Sequence, residues 1–220
     1  VEKVKEICDL YTRSLSSEEM VLCFDEKTNL RPQRRKAETR PARPGRRGKK
    51  GEKGEAGKPV RLESEYVRCG AIHLFAALDT RTGHIYHQCH SRKRQVEFLL
   101  FLEELNQKLP KEKTKIHVVL DNLKMHKGQL VQAWLAAHPR FVFHFLPVHC
   151  SWMNQIEQFF SVLTRKRLGF SDFNSCLEMK LMLDNYIRYY NLHARRFRWT
   201  PRSFEKVLAK AQAAAFAQAA

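Results

Sequence analysis

Two rhythms of apolar and polar positions run through this 220-residue chain. Over residues 2–12 a helical period puts Val4, Ile7, Cys8 and Tyr11 on one face and predicts a short amphipathic helix. The polar run "SLSSEE" breaks it, and "VLCFDEKT", 21–28, reads as a strand that stays apolar until Asp25. Two more strands, about 70–78 and 84–90, flank "DTRTG", a hairpin signal. Helical spacing returns over 95–109, with Val96, Leu99, Leu100, Leu102 and Leu105 expected to face inward. A strand over 115–122, a helix over 128–137 and a strand over 141–147 follow. Helices over 152–168, 175–193 and 203–215 complete the pattern.

An antiparallel opening followed by alternating helices and strands predicts an α/β fold: a mixed five-stranded sheet flanked by helices on both faces. That is the arrangement of the ribonuclease H-like fold. The length suits one domain with a sizeable core. No apolar run approaches the ~18 residues needed to cross a bilayer, and the charged N-terminus has no apolar core of a signal peptide. The first residue is Val1 rather than Met, which fits a fragment of a longer chain. Six cysteines are scattered singly with no CxxC pair, so a reduced, cytoplasmic compartment is expected.

Between the first strand and the hairpin both rhythms vanish. Residues 31–68 hold fourteen Lys/Arg against five Asp/Glu, a net +9 of the chain's +17. Gly45, Gly48, Gly51, Gly54 and Gly57 recur at the spacing of collagen, but so few triplets with so little proline cannot sustain a triple helix. The expectation is a long, flexible basic loop inserted between the first two strands. Positive charge clustered in this way points to a polyanionic partner, nucleic acid first. Arg46, Arg47, Lys49 and Lys50 in the loop, with Arg165, Lys166 and Arg167 on the long helix, are expected to meet phosphates without reading sequence.

Three carboxylates carry the candidate chemistry. Asp25 ends the first strand, Asp121 ends the fourth, and Glu157 sits near the start of the long helix. If these strands are neighbours, the carboxylates converge as hard oxygen ligands for Mg²⁺ or Mn²⁺. Two such ions suit an in-line phosphodiester displacement. Each residue also has a plainer reading: Asp25 as a turn residue, Asp121 as a turn or N-cap, and Glu157 as the partner of Asn154 in a capping box. Asp79 is assigned to the hairpin turn. His84, His87 and His90 fall on opposite faces of a strand and lack zinc-ligand spacing. His126 and His149 lie close to the carboxylates in sequence, and His149 reads as a surface or core residue.

"VLCFDEKT", "HLFAALDTRTG", "VVLDNLKMHK" and "LPVHCSWMNQIEQFFSVLTRKRL", taken in order, resemble the catalytic domain of bacterial insertion-sequence transposases of the mariner superfamily. "YIRYYNLHARRFRWTP" is similar to that family's C-terminal signature, and the resemblance spans about residues 1–205. It implies a ribonuclease H-like domain over 21–205 with an Asp-Asp-Glu triad of Asp25, Asp121 and Glu157. Asn122 and His126 match the Asp-Asn-x-x-x-His pattern and would support the second carboxylate. Ser151, Trp152 and Asn154 match the run that leads into the catalytic helix. The implied activity is metal-dependent cleavage of double-stranded DNA and joining of the released 3′ end to a target. The implied partners are element ends and target DNA in a homodimer, in the bacterial nucleoid region of the cytoplasm. Residues 1–20 resemble only the linker that precedes the catalytic domain. The helix-turn-helix modules usual in the family have no counterpart here, and the Ala-rich tail 206–220 matches nothing in it. A co-opted DNA-binding protein without catalysis, or a purely hydrolytic nuclease, remains the alternative.

Overall fold

The computed structural model describes residues 2–38, 40–48, 53–61, 63–148, 150–169, 172–198, 205–206 and 209. Its elements, in chain order, are α1 (Glu2–Thr12), β1 (Glu19–Leu30), β2 (Gln33–Arg35), β3 (Tyr66–Arg68), β4 (Ile72–Asp79), β5 (Ile85–His90) and α2 (Gln95–Lys108). After these come β6 (Lys115–Leu120), α3 (Gln129–Ala137), β7 (Phe141–Phe145), α4 (Ile156–Leu163) and α5 (Cys176–Leu192). The main sheet runs β5-β4-β1-β6-β7, with β1 antiparallel to β4 and parallel to β6. The mixed five-stranded sheet expected from the order of elements is therefore present. Among the described residues no helix is long and apolar enough to cross a membrane.

Alternation along the strands divides the core into two faces. Val21, Cys23 and Val119 belong to the cluster completed by α1, α4 and α5. Leu22, Phe24, Val118 and Leu120 belong to the cluster completed by α2 and α3. Phe24 is stacked against Phe75, Phe98 and Phe101 with ring centroids 5.0–6.2 Å apart. Aromatic burial of this kind stabilises a core by several kcal/mol per side chain, at about 25 cal/mol per Å².

Three expectations need correction. The buried face of α2 is Phe98, Phe101, Leu102 and Leu105, an i, i+3, i+4, i+7 stripe, whereas Val96 and Leu100 are exposed. The long helix expected over 152–168 is broken into three pieces. A 3₁₀ turn spans Ser151–Met153, Asn154 is extended, α4 starts at Ile156, and a π-helical turn covers Thr164–Leu168.

The insertion over 31–68 is the third correction: its described part is a two-stranded ribbon rather than a loop. β2 pairs with β3, and the register continues outward through Arg40–Arg61, Arg43–Lys58 and Arg46–Glu55. Beyond β2 and β3 the pairs come every third residue, the repeat of a polyproline II strand, not the two-residue repeat of a β-ladder. Glycine permits the close approach: a Cβ on Gly45 would stand 2.5 Å from the Glu55 carbonyl oxygen, and one on Gly54 2.5 Å from that of Arg46. Lys49, Lys50 and His149 lie outside the described residues, as does most of the expected helix over 203–215.

Candidate active site at the ends of two parallel strands

β1 and β6 pair from Glu19–Lys115 to Cys23–Val119 in one constant offset. The ladder ends there, and Asp121 is the first residue past β6; continued two residues at the same offset, it would bring Asp121 level with Asp25. Alternation then points both residues to the face on which α4 packs. The apolar stripe Ile156, Phe159, Phe160 and Leu163 seats α4 there and leaves Glu157 on its exposed side.

Asn154 fixes the approach of α4. Its side-chain amide donates to the Phe24 carbonyl at 2.7 Å, next to Asp25. The proposed capping box with Glu157 is absent, since no side chain caps this helix. Instead the Glu157 backbone N–H reaches the Asn154 carbonyl at 3.1 Å. Asn154 Oδ1 and Gln155 Oε1 are buried with no hydrogen-bond partner among the described residues.

The electrostatics of the three carboxylates differ. Burial pushes the Asp25 carboxyl up to about 7; the Glu26 backbone N–H opposes this, and the charges of Glu26, Glu157 and Asp121 add to it. Asp121 feels burial as well, but His126, the Leu123 backbone N–H and Lys93 together bring it below its ordinary value. One oxygen of each aspartate is already engaged: Asp25 Oδ1 accepts from the Glu26 N–H at 2.7 Å, and Asp121 Oδ1 accepts from the Leu123 N–H at 3.1 Å.

His126 is fully buried and joins both strands. Its Nδ1 lies 2.9 Å from Asp121 Oδ1 and its Nε2 2.8 Å from Glu26 Oε1. A ring that faces a carboxylate through each nitrogen donates from both when it is an imidazolium. Burial opposes that charge, yet the two carboxylates prevail and raise His126 to about 9. The rings of Phe24 and Phe98 enclose it at 5.6 and 4.6 Å. Lys93 Nζ completes the row 3.2 Å from Glu26 Oε2, as an ion pair without hydrogen-bond alignment. Lysine, glutamate, imidazolium and aspartate thus alternate in sign from the β5–α2 turn to the site.

Glu26 and Lys93 were not among the sequence candidates. The available signal was alternation: Glu26 follows Asp25 in a strand and so must point into the opposite, apolar face, where a carboxylate needs a partner. Asn122 does not touch Asp121. Its amide donates to the Leu146 carbonyl and its Oδ1 accepts from Lys127 Nζ at 2.6 Å, which ties the ends of β6 and β7 together. Asp79 anchors the hairpin turn through the Arg81 N–H and the Thr82 hydroxyl. Arg46 and Arg47 are exposed on the ribbon, and Arg165 and Lys166 on the π-helical turn. Arg167 lies 5.2 Å over the Tyr186 ring.

The donor set fits a divalent cation in its chemistry. Hard carboxylate oxygens face one strand end, and their mutual repulsion raises Asp25. They are not drawn into a closed cage: among the described residues no three His, Cys, Asp or Glu side chains stand close enough to hold a metal ion.

Contrary to expectation Asp25 does not end the first strand but lies within β1, which runs on to Leu30 along β4, while Asp121 directly follows β6. A ribonuclease H-like α/β domain with one aspartate inside the central strand, a second just past the parallel neighbour and a glutamate on the helix packed against them is the class that fold and site define. The family described as DDE superfamily endonuclease matches residues 20–180, and the chain belongs to it. A Shigella sonnei protein, the insertion element IS630 uncharacterized 39 kDa protein, is 30% identical over 91 residues, 41% of this chain. The chain's match covers 26% of that relative's length. The fold is similar to the crystal structure of the catalytic domain of Mos1 mariner transposase, with a TM-score of 0.57 and 14% identity over 95% of this chain and 90% of that one. The Mos1 strand transfer complex gives a TM-score of 0.56 and 15% identity over 95% of this chain and 60% of that chain.

Two outcomes are expected of the metal-free protein. Asp25 and His126 both bind protons more tightly folded than unfolded. Asp25 loses stability from about pH 4 to about 7, and the contribution of His126 is present below about 6.5 and lost as pH rises through about 9. In urea unfolding Asp25→Asn should therefore gain stability relative to wild type as pH rises from about 4 to about 7 and be the more stable at pH 8; a constant difference between the two profiles would contradict this. Glu26→Ala, which removes the Lys93 ion pair and one of the two carboxylates facing the buried His126, should cost about 3–5 kcal/mol in the same measurement at neutral pH.

Proposed function

We propose that this domain is the catalytic part of a transposase that cleaves double-stranded DNA at element ends and joins the 3′ end to a target. The reading is supported by the constant register of β1 with β6, whose continuation would bring Asp121 level with Asp25, on the side where α4 carries Glu157. Asp25, Asp121 and Glu157 would hold two Mg²⁺ or Mn²⁺ ions. Such ions supply charge stabilisation to an in-line displacement at phosphorus. Similar Mos1 structures are paired end complexes with Mn and with Mg, which supports a divalent cofactor here.

The chain's own residues contribute orientation. The imidazolium of His126 and the Leu123 N–H share Asp121 Oδ1, which leaves Oδ2 to face the site. The Glu26 N–H does the same for Asp25. Asn154 clamps the start of α4 onto β1, so that Glu157 is presented beside the aspartates. Arg46, Arg47, Lys49, Lys50 and Arg165–Arg167 would bind DNA phosphates, and the net charge of +17 would bring DNA to the site by long-range attraction. Similarity to a Mos1 transposase paired-end complex with a transposon end supports a reading in which two copies act on DNA in the bacterial cytoplasm.

A second reading, DNA binding without catalysis, is favoured by one observation, the lack of a closed metal cage among the described residues. One experiment decides between them. Wild type with Mg²⁺ or Mn²⁺ should nick supercoiled plasmid and join a pre-cleaved 3′-hydroxyl end to target DNA. Asp121→Asn should reduce both reactions to background while DNA binding persists. Nicking unchanged by Asp121→Asn would overturn the site assignment, nicking without joining would leave a hydrolytic nuclease, and no nicking by wild type would leave a binding protein.

A further inference from the structure

The ribbon sets like charges against each other. Arg40 faces Arg61 and Arg43 faces Lys58, and each pair exchanges backbone hydrogen bonds in both directions at 2.9 or 3.0 Å. Residues opposed in this way have Cα atoms ~5.5 Å apart, and like charges so placed destabilise the pairing. No ion pair relieves them: none of the four cations has a carboxylate partner among the described residues. All four border one hollow of about 740 Å³, on which Glu38 is the single acidic side chain among the described residues. Like-charged pairs recur where an anion between them turns repulsion into attraction.

The hollow sits on a fastened stem. The Arg35 N–H donates to Asp172 Oδ1 at 3.1 Å, the Phe173 N–H to the Gln33 carbonyl at 3.0 Å, and the Cys69 N–H to the Pro32 carbonyl at 2.9 Å. The ribbon base is thereby bound to the segment just after the basic turn Thr164–Leu168. The two charged pairs are three residues apart, ~9 Å at the rise of a polyproline II strand. Because the strand winds around the helix axis, successive phosphates are ~7 Å apart in space, so this spacing is on the scale of one nucleotide step.

We propose that Arg40, Arg43, Lys58 and Arg61 form a phosphate seat in which the two pairs straddle one strand of the DNA backbone at neighbouring phosphates. The ligand is a phosphodiester chain, held by charge and without base contacts. The proposal rests on the DNA-binding reading above and adds to it a defined set of contacts that lies inward of Arg46 and Arg47.

Salt dependence of DNA binding by the full chain tests it, read by fluorescence anisotropy on a duplex of arbitrary sequence from about 50 to about 200 mM salt. Replacing all four residues with alanine should lower the slope of log K against log salt by about 2, near 0.9 for each of the two phosphates seated. R40K/R43K/R61K, which keeps the charges, should retain most of the wild-type slope and so separates charge from ribbon folding. A control with the same loss of charge elsewhere, K3A/K5A/K111A/K113A, should change the slope far less. An unchanged slope in the four-alanine variant, an equal fall in the control, or a lysine variant that falls as far as the alanine one would each overturn the proposal. So would an unchanged slope combined with loss of a dimer in sedimentation, which would assign the hollow to an acidic segment of a second copy. If wild type itself shows no salt-dependent binding, the DNA-binding reading fails and the seat fails with it.

Discussion

The parallel pairing of β1 with β6 is the constraint on which the candidate site depends. Its constant offset is enforced by burial on both sides, since a slip of one residue would turn Leu22, Phe24, Val118 and Leu120 out of one core and Val21, Cys23 and Val119 out of the other. Two aspartates placed by such strands inherit that precision without contributing to it. The fold therefore supports two mutually repelling carboxylates by the burial of apolar side chains beneath them.

What the register cannot set is side-chain orientation, and a row of alternating charge serves that purpose. Lys93, Glu26, His126 and Asp121 follow one another at 3.2, 2.8 and 2.9 Å. Buried ion pairs are weak sources of net stability, because desolvation offsets most of their attraction, but loss of one member leaves its neighbours uncompensated. Their value here is directional: the row crosses from the apolar face of β1 to Asp121 and fixes which oxygen of that carboxylate is free. Asn154 plays the matching part for α4, with its amide held by the Phe24 carbonyl.

Much of this was legible in the sequence, for a physical reason. The apolar run that stops at Asp121 reports a strand end, whereas β1 runs on past Asp25 to Leu30 because β4 pairs with it there; the hairpin and the alternating helices give the mixed sheet, and the adjacency of β1 and β6 comes from the fold. The parts that escaped depend on contacts distant in sequence or on one residue's local choice. Glu26 meets His126 across 100 positions, which no periodicity records. "SWMNQI" keeps helical spacing through Trp152 and Ile156, yet Asn154 adopts ψ 111° and breaks the helix to reach β1. In α2 the aliphatic residues drew the assignment away from Phe98 and Phe101, although the aromatic stripe has the cleaner period. The glycine repeat was visible, but its purpose, close approach of two paired branches, required the opposite branch to be seen.

The central claim is that Asp25 and Asp121 share divalent ions through the oxygens their protein donors leave free. A crystal structure of the Mn²⁺-soaked protein, with anomalous scattering measured at the manganese edge, tests it most directly. The account predicts an anomalous peak within coordination distance of Oδ2 of both aspartates, with Glu157 closing on the same centre. Well-ordered side chains at saturating Mn²⁺ with no peak between them, or a peak bound elsewhere, would contradict it.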